Sequence, residues 1–196
     1  YVAFILRADN RGEGGVLAAD PELVDRARPW SLHGMSRDAW RRYDTGGSWR
    51  YDVVHPGFKY NFTDIQAALG SAQLRRADQL AGRRAEIARQ YTAAFAGMDE
   101  LEPPAERPDV GHAWHLYVLR LRPERLRIGR DEFAAELLAR NIGVSVHFIP
   151  VHELSYYRDR YGYRPEDFPV AHREFGRMVS LPIYPRMTDE DVQDVI

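Results

Sequence analysis

One helical stripe sets the frame for this chain. Ile65, Leu69, Ala72, Leu80, Ile87, Tyr91 and Phe95 recur on one face between Thr63 and the stop at Gly97. The pattern predicts a helix of roughly 33 residues, about 50 Å at 1.5 Å per residue. Such a helix outlasts one small domain, so it is expected to bridge two bodies, with Gly82 as the bend. Thr63 and Gln66 stand at capping-box spacing, where hydroxyl and amide satisfy each other's backbone N–H groups. The far half, LRRADQLAGRRAEIARQ, is charged on its other faces, as a solvated helix should be.

The stretch that feeds this helix is PGFKYNFTDIQAALG, Pro56 to Gly70. It holds Lys59, the only lysine of the chain, next to the hinge Tyr60-Asn61-Phe62-Thr63. By pattern alone Asn61 is a turn residue ahead of the cap. Before it, residues 36–56 have weak periodicity and carry Trp40, Tyr43, Trp49 and Tyr51 around Gly46-Gly47. A long aromatic loop of this kind covers a ligand, meets a partner chain, or packs under itself.

Elsewhere the elements are shorter. Tyr1–Leu6 is a continuous apolar run, the pattern of a strand buried on both faces. Gly12, Gly14 and Gly15 follow without a Walker pattern or an adjoining helix, so a hairpin turn is expected there. Asp20-Pro21 starts a helix that should end by Arg28, because Pro29 follows. LEPPAERPDV, 101–110, is a proline-rich connection and marks a domain boundary. HAWHLYVLRL then reads as a strand, DEFAAELLAR as a helix closed by Asn141 and Gly143, and VSVHFIPV as a second strand. A helix starts at Pro169, SLPIYP is extended, and Thr188 caps a last helix. The order predicts a small α/β domain.

Composition narrows the chemistry mostly by exclusion. There is no cysteine, so disulfides, thiolate zinc sites and cysteine nucleophiles are out, which agrees with a cytoplasmic location. The net charge of -2 and the dispersed arginines give no basic face for nucleic acid. No apolar run approaches the roughly 20 residues of a membrane helix. His112 and His115 fall on opposite faces of the expected strand and cannot share an ion. His147 and His152 flank a proline and could converge, but no HExxH or carboxylate set accompanies them. No metal site is expected, and no Gly-x-Ser-x-Gly elbow supports a serine hydrolase. The chain starts at Tyr1 and stops inside TDEDVQDVI, and both ends read as cut from something longer.

Seven blocks occur in order: GEGG, LHGMSRDAW, PGFKYNFTDIQAALG, HAWHLY, GVSVHFIPVH, YYRDRYGY and SLPIYPRMTDEDV. Together they resemble the DegT/DnrJ/EryC1/StrS family of pyridoxal-phosphate (PLP) sugar aminotransferases, over nearly the whole chain. The resemblance implies an α/β fold, the PLP-dependent transferase fold type I, which is aspartate-aminotransferase-like. It implies that 1–62 is the C-terminal part of the PLP-binding large domain, 63–97 the bridging helix and 98–196 the small C-terminal domain. It also implies a homodimer in which Asn61 reaches across to the partner's PLP phosphate. Lys59, His147, Tyr156 and Tyr157 would lie near the nucleotide-sugar substrate. The implied reaction moves an amino group, with glutamate as donor, to a keto-sugar nucleotide for lipopolysaccharide or other cell-surface glycan.

One position departs from the resemblance. Counting back from Glu13 of GEGG, the family's Schiff-base lysine falls on Arg7. A guanidinium stays protonated and offers no free amine to a carbonyl, though it can pair with phosphate or carboxylate. The expectation is therefore a partial aminotransferase with impaired catalysis. The rivals are a non-catalytic dimerisation or ligand-binding chain, and a PLP-dependent sugar dehydratase. In such relatives a histidine marks the lysine position, which Arg7 does not match.

Overall fold

The computed structural model describes residues 20–36 and 51–196. The strand expected over Tyr1–Leu6, the glycine turn, Arg7 and most of the aromatic loop lie outside the described residues. The chain divides into two compact units, 1–77 and 78–196.

In the first unit α1 (Pro21–Ser31) starts as expected, with the Asp20 carboxylate accepting from the Leu23 N–H at 2.9 Å. It does not stop before Pro29 but runs through it for a further two residues. Proline removes one N–H donor and crowds the carbonyl four residues back. In a last turn little helix remains to be lost. The Pro29 carbonyl instead ends the helix, accepting from Leu32 N at 3.2 Å and Gly34 N at 2.9 Å.

Residues 30–36 then run antiparallel to 52–60, through bridges Leu32↔Lys59 and Met35↔Val53. Phe58 N donates to the Trp30 carbonyl at 2.7 Å, and Tyr60 N to the Ser31 carbonyl at 2.8 Å. The Trp30 and His55 rings stack at 5.0 Å. Next comes α2 (Asp64–Leu74), with both bonds of the Thr63–Gln66 capping box formed.

The single helix expected over 63–97 is two helices. After α2 the chain turns at Arg75-Arg76, and α3 (Ala77–Phe95) passes straight through Gly82. The apolar stripe explains the break. Three and four residues beyond Ala72 it should continue, and arginines stand at both places. None of the residues of α2 is buried, so no packing holds the helix through that gap.

The second unit is built on a three-stranded antiparallel sheet in the order β1 (Leu101–Glu102), β2 (Tyr117–Leu121), β3 (Met178–Leu181). Tyr117 faces Leu181, Leu119 faces Val179, and Leu101 faces Leu121. Strand alternation sends these six side chains to one face, where they pack on Ile87, Ala88, Tyr91 and Phe95 of α3. Trp114, Ile183, Met187 and Val192 complete the core. Each large apolar side chain fully buried there contributes about 1.5–3 kcal/mol. The two buried tyrosines keep their hydroxyls bonded, Tyr91 to the Pro182 carbonyl and Tyr117 with Thr92, both at 2.9 Å. Burial pushes both phenols above the usual tyrosine range.

Two expected strands are shortened. HAWHLYVLRL is a strand only from Tyr117. Trp114 sits in the left-handed region at φ 47°, with its N–H donating to His112 Nδ1 at 2.9 Å, so the chain bends there. His112 and His115 are therefore not on a strand, and the opposite-faces argument lapses. Among the described residues no group of three His, Asp or Glu could hold a metal ion.

VSVHFIPV contributes one bridge, Ser145↔Ser180, to the free edge of β3. Before it, α4 (Arg130–Ala139) ends in a Schellman closure. Asn141 takes φ 62°, and Ile142 N bonds the Leu137 carbonyl at 2.9 Å. The remaining helices are α5 (Ser155–Tyr161), α6 (Pro169–Phe175) and α7 (Asp189–Val195), the last with a Thr188–Asp191 capping box. No helix among the described residues is long and apolar enough to cross a membrane.

Candidate functional site

The ladder of the first unit fixes the backbone of Lys59 on both sides, and this brings its side chain to Asn61. The ammonium donates to the Asn61 side-chain carbonyl. The Asn61 amide N–H group keeps one long bond, 3.4 Å, to the Phe62 carbonyl. With Lys59 bonded to the oxygen, the Asn61 NH2 group, held only by its long bond to Phe62, is left to donate to a ligand. Lys59 has N–H bonds to spare, and α2 begins three residues after Asn61 with its positive dipole end. The donor set and field suit an anion of phosphate type.

In the second unit His147 lies half-buried where the chain leaves the edge of β3. Its Nδ1 is 2.8 Å from the Ser180 hydroxyl. Tyr156 and Tyr157 open α5 with their rings edge-to-face at 5.4 Å. From Tyr157 the rings continue through Tyr161 and Tyr163 to Phe168 and end on His152. Both opening tyrosines are exposed, as are Phe148 and Ile149 beside His147. This surface offers flat faces and hydroxyls suited to a sugar or a base.

His147 and His152 do not converge as their spacing allowed. His147 turns to Ser180, whereas His152 is buried against Phe168, with Nε2 3.6 Å from Glu153 and no hydrogen-bond partner among the described residues. A cavity of about 540 Å³ is lined by Pro123, Glu124, His172, Arg173, Gly176 and Arg177. None of the expected site residues lines it, and both of its arginines are already bound to Glu174.

Sequence reasoning brought forward Lys59, Asn61, His147, Tyr156 and Tyr157, and the structure joins the first two to each other and the last two to each other. It missed Ser180. The available signal was a lone hydroxyl between Val179 and Leu181 in an otherwise apolar strand. Arg7 lies outside the described residues.

The pattern of the DegT/DnrJ/EryC1/StrS aminotransferase family matches residues 10–196. The spore coat polysaccharide biosynthesis protein SpsC of Bacillus subtilis is 50% identical over 187 residues, covering 94% of this chain and 48% of SpsC. Among solved structures, Spr1654 of Streptococcus pneumoniae in its PMP-form superposes with a TM-score of 0.75 at 32% identity, over 92% of this chain and 45% of that one. Spr1654 is also solved in a PLP-form. The sugar aminotransferase CalS13 of Micromonospora echinospora gives a TM-score of 0.70 at 27% identity, over 90% and 44% of the two chains. The chain spans about half the length of the curated relatives it matches.

Proposed function

The chain belongs to the DegT/DnrJ/EryC1/StrS aminotransferase family, with the α/β, fold-type-I architecture of PLP-dependent transferases, and from that premise we propose that it is one part of a PLP-dependent sugar aminotransferase. The reaction is transfer of an amino group, from glutamate, to a keto-sugar nucleotide used in cell-surface glycan synthesis. The names of SpsC, a spore coat polysaccharide biosynthesis protein, and of CalS13, a sugar aminotransferase, support the sugar and polysaccharide part of that reading. Residues 1–62 belong to the large domain and 98–196 form the small domain.

The observation that carries this reading is the Lys59–Asn61 pair ahead of the capped α2. The Asn61 amide would hold the phosphate end of PLP in the partner of a homodimer, and Lys59 would fix that amide and add positive charge. Exposed Ile65, 83% accessible, and Leu69 on α2 agree with a face covered by a second chain. When bound, PLP supplies the electron sink and amino carrier of a transamination. His147, Tyr156 and Tyr157 would bind the nucleotide sugar.

Arg7 gives weight to a second reading, a chain that binds cofactor or substrate without turning it over. Its guanidinium cannot replace the amine that the reaction requires.

Calorimetric titration of the chain with PLP tests the site. Asn61→Ala should weaken binding about tenfold, the loss of a charge-assisted hydrogen bond. Unchanged affinity in Asn61→Ala and Lys59→Ala would remove both residues from the phosphate site. Tight binding without transamination of keto-sugar nucleotides would favour the second reading.

A further inference from the structure

Ser180 is buried, 5% exposed, yet its side chain is not in the core. Val179 and Leu181 on either side point into the cluster beneath the sheet, so alternation sends Ser180 to the other face. Its backbone is pinned from both directions. It pairs with Val118 of β2, and on its free edge it exchanges two hydrogen bonds with Ser145, at 2.7 and 3.2 Å.

Bridge partners share a face, and in an extended chain so does the residue two positions on. That residue is His147. The register therefore delivers the imidazole over Ser180, where Nδ1 and Oγ meet at 2.8 Å. A buried hydroxyl costs stability unless it is bonded. Valine would suit the strand better, as its neighbours show. The serine is explained by the imidazole it holds.

We propose that Ser180 is a positioning residue for His147. Its hydroxyl donates to Nδ1, fixes the ring, and leaves Nε2–H directed outward as a donor to an oxygen of the nucleotide sugar, its phosphate or a sugar hydroxyl. The inference rests on the reading of His147 as a substrate-binding residue. It adds that the orientation of this residue is set from β3, 33 positions away in sequence.

A double-mutant cycle on ligand affinity tests it, with uridine diphosphate and thymidine diphosphate as probes and thermal midpoints recorded for each variant. Ser180→Ala should weaken nucleotide binding three- to tenfold, the value of one hydrogen bond, and Ser180→Thr should restore it. In the His147→Ala background Ser180→Ala should have no further effect, because the hydroxyl acts through the imidazole. Equal losses in both backgrounds would show a packing role and overturn the inference, as would no loss where His147 is intact. Binding unaffected by His147→Ala would instead remove His147 from the substrate site, and the role of Ser180 with it. A wild-type chain that takes neither nucleotide would overturn the ligand assignment itself.

Discussion

Gly57 lies against Gly34 so closely that a Cβ on Gly57 would stand 2.1 Å from the Gly34 nitrogen. The reverse side is as tight. A Cβ on Gly34, whose φ is +70°, would fall 1.7 Å from the His55 carbonyl oxygen. The two backbones touch, and the ladder that carries Lys59 forms only because neither residue has a side chain.

Gly57→Ala should therefore open that ladder. We expect a loss on the order of 2–4 kcal/mol for the first unit, as for other strained backbone sites. Amide hydrogen exchange will show it as lost protection at Phe58 and Tyr60, with Leu119 and Val179 unchanged. Gly82→Ala is the control. Among the described residues nothing lies within 4 Å of the Cβ it would add, and alanine should stabilise α3 by up to about 1 kcal/mol.

Arg83 ties the last helix to α3. One guanidinium nitrogen donates to the Met187 carbonyl and to Asp189, both at 2.8 Å, and the other meets Glu86 at 2.7 Å. Asp189 is largely exposed, so solvent discounts the charge component. Arg83→Ala should cost about 1 kcal/mol in chemical denaturation, mainly through the stranded carbonyl. Thr188→Ala, which removes the α7 cap, should cost a similar amount, about 1 kcal/mol. The two losses should not add, since both act on one turn of chain.

Acid should weaken the second unit through Glu102. The side-chain bond from Arg177, at 2.7 Å, and the Arg120 guanidinium at 2.6 Å hold its carboxyl below the usual glutamate range. A group with a depressed folded value stabilises the protein above its unfolded value, near 4.5. That stability is lost as pH falls through the folded value. Glu174 adds to the effect. Burial raises its value, but the bonds from Arg177 and Arg173 outweigh that and leave it lowered. Thermal midpoints of the wild type should fall below about pH 4.5, with a shallower fall in Glu102→Gln.

Within the core, Leu119→Ala should cost about 2–5 kcal/mol by leaving a cavity beneath the sheet. Tyr91→Phe keeps the volume and strands the Pro182 carbonyl, and about 1 kcal/mol is expected. Denaturant midpoints with unchanged slopes will separate these losses from changes in the unfolded state.

The local elements were legible because their signals are short-range. Asp20, Thr63 and Thr188 cap helices as their spacing implied, and each cap is completed within three residues. The misread segments depend on what lies alongside. Pro29 reads as a barrier, but a helix C-terminus is closed by whatever N–H groups reach its last carbonyls, here those of Leu32 and Gly34. Residues 112–116 have strand composition, yet the Trp114–His112 bond takes the chain elsewhere. Likewise 144–151 carries a strand pattern, and only Ser145 finds a partner. An extended segment has no hydrogen bonds of its own, so pattern alone cannot tell whether a neighbouring strand exists.

The candidate site divides along the same line. The sequence alone determined the family, the cap in front of which Asn61 stands, and the identity of Arg7 ahead of the GEGG block. All of these are matters of residue identity and order. Only the tertiary structure decided that Lys59 binds Asn61 and that Ser180 holds His147, with His152 turned to Phe168 instead. Side-chain partners follow from strand register and backbone approach, and those are set by packing among residues far apart in the chain. The lone hydroxyl between Val179 and Leu181 marks Ser180 itself, but no local signal names its partner.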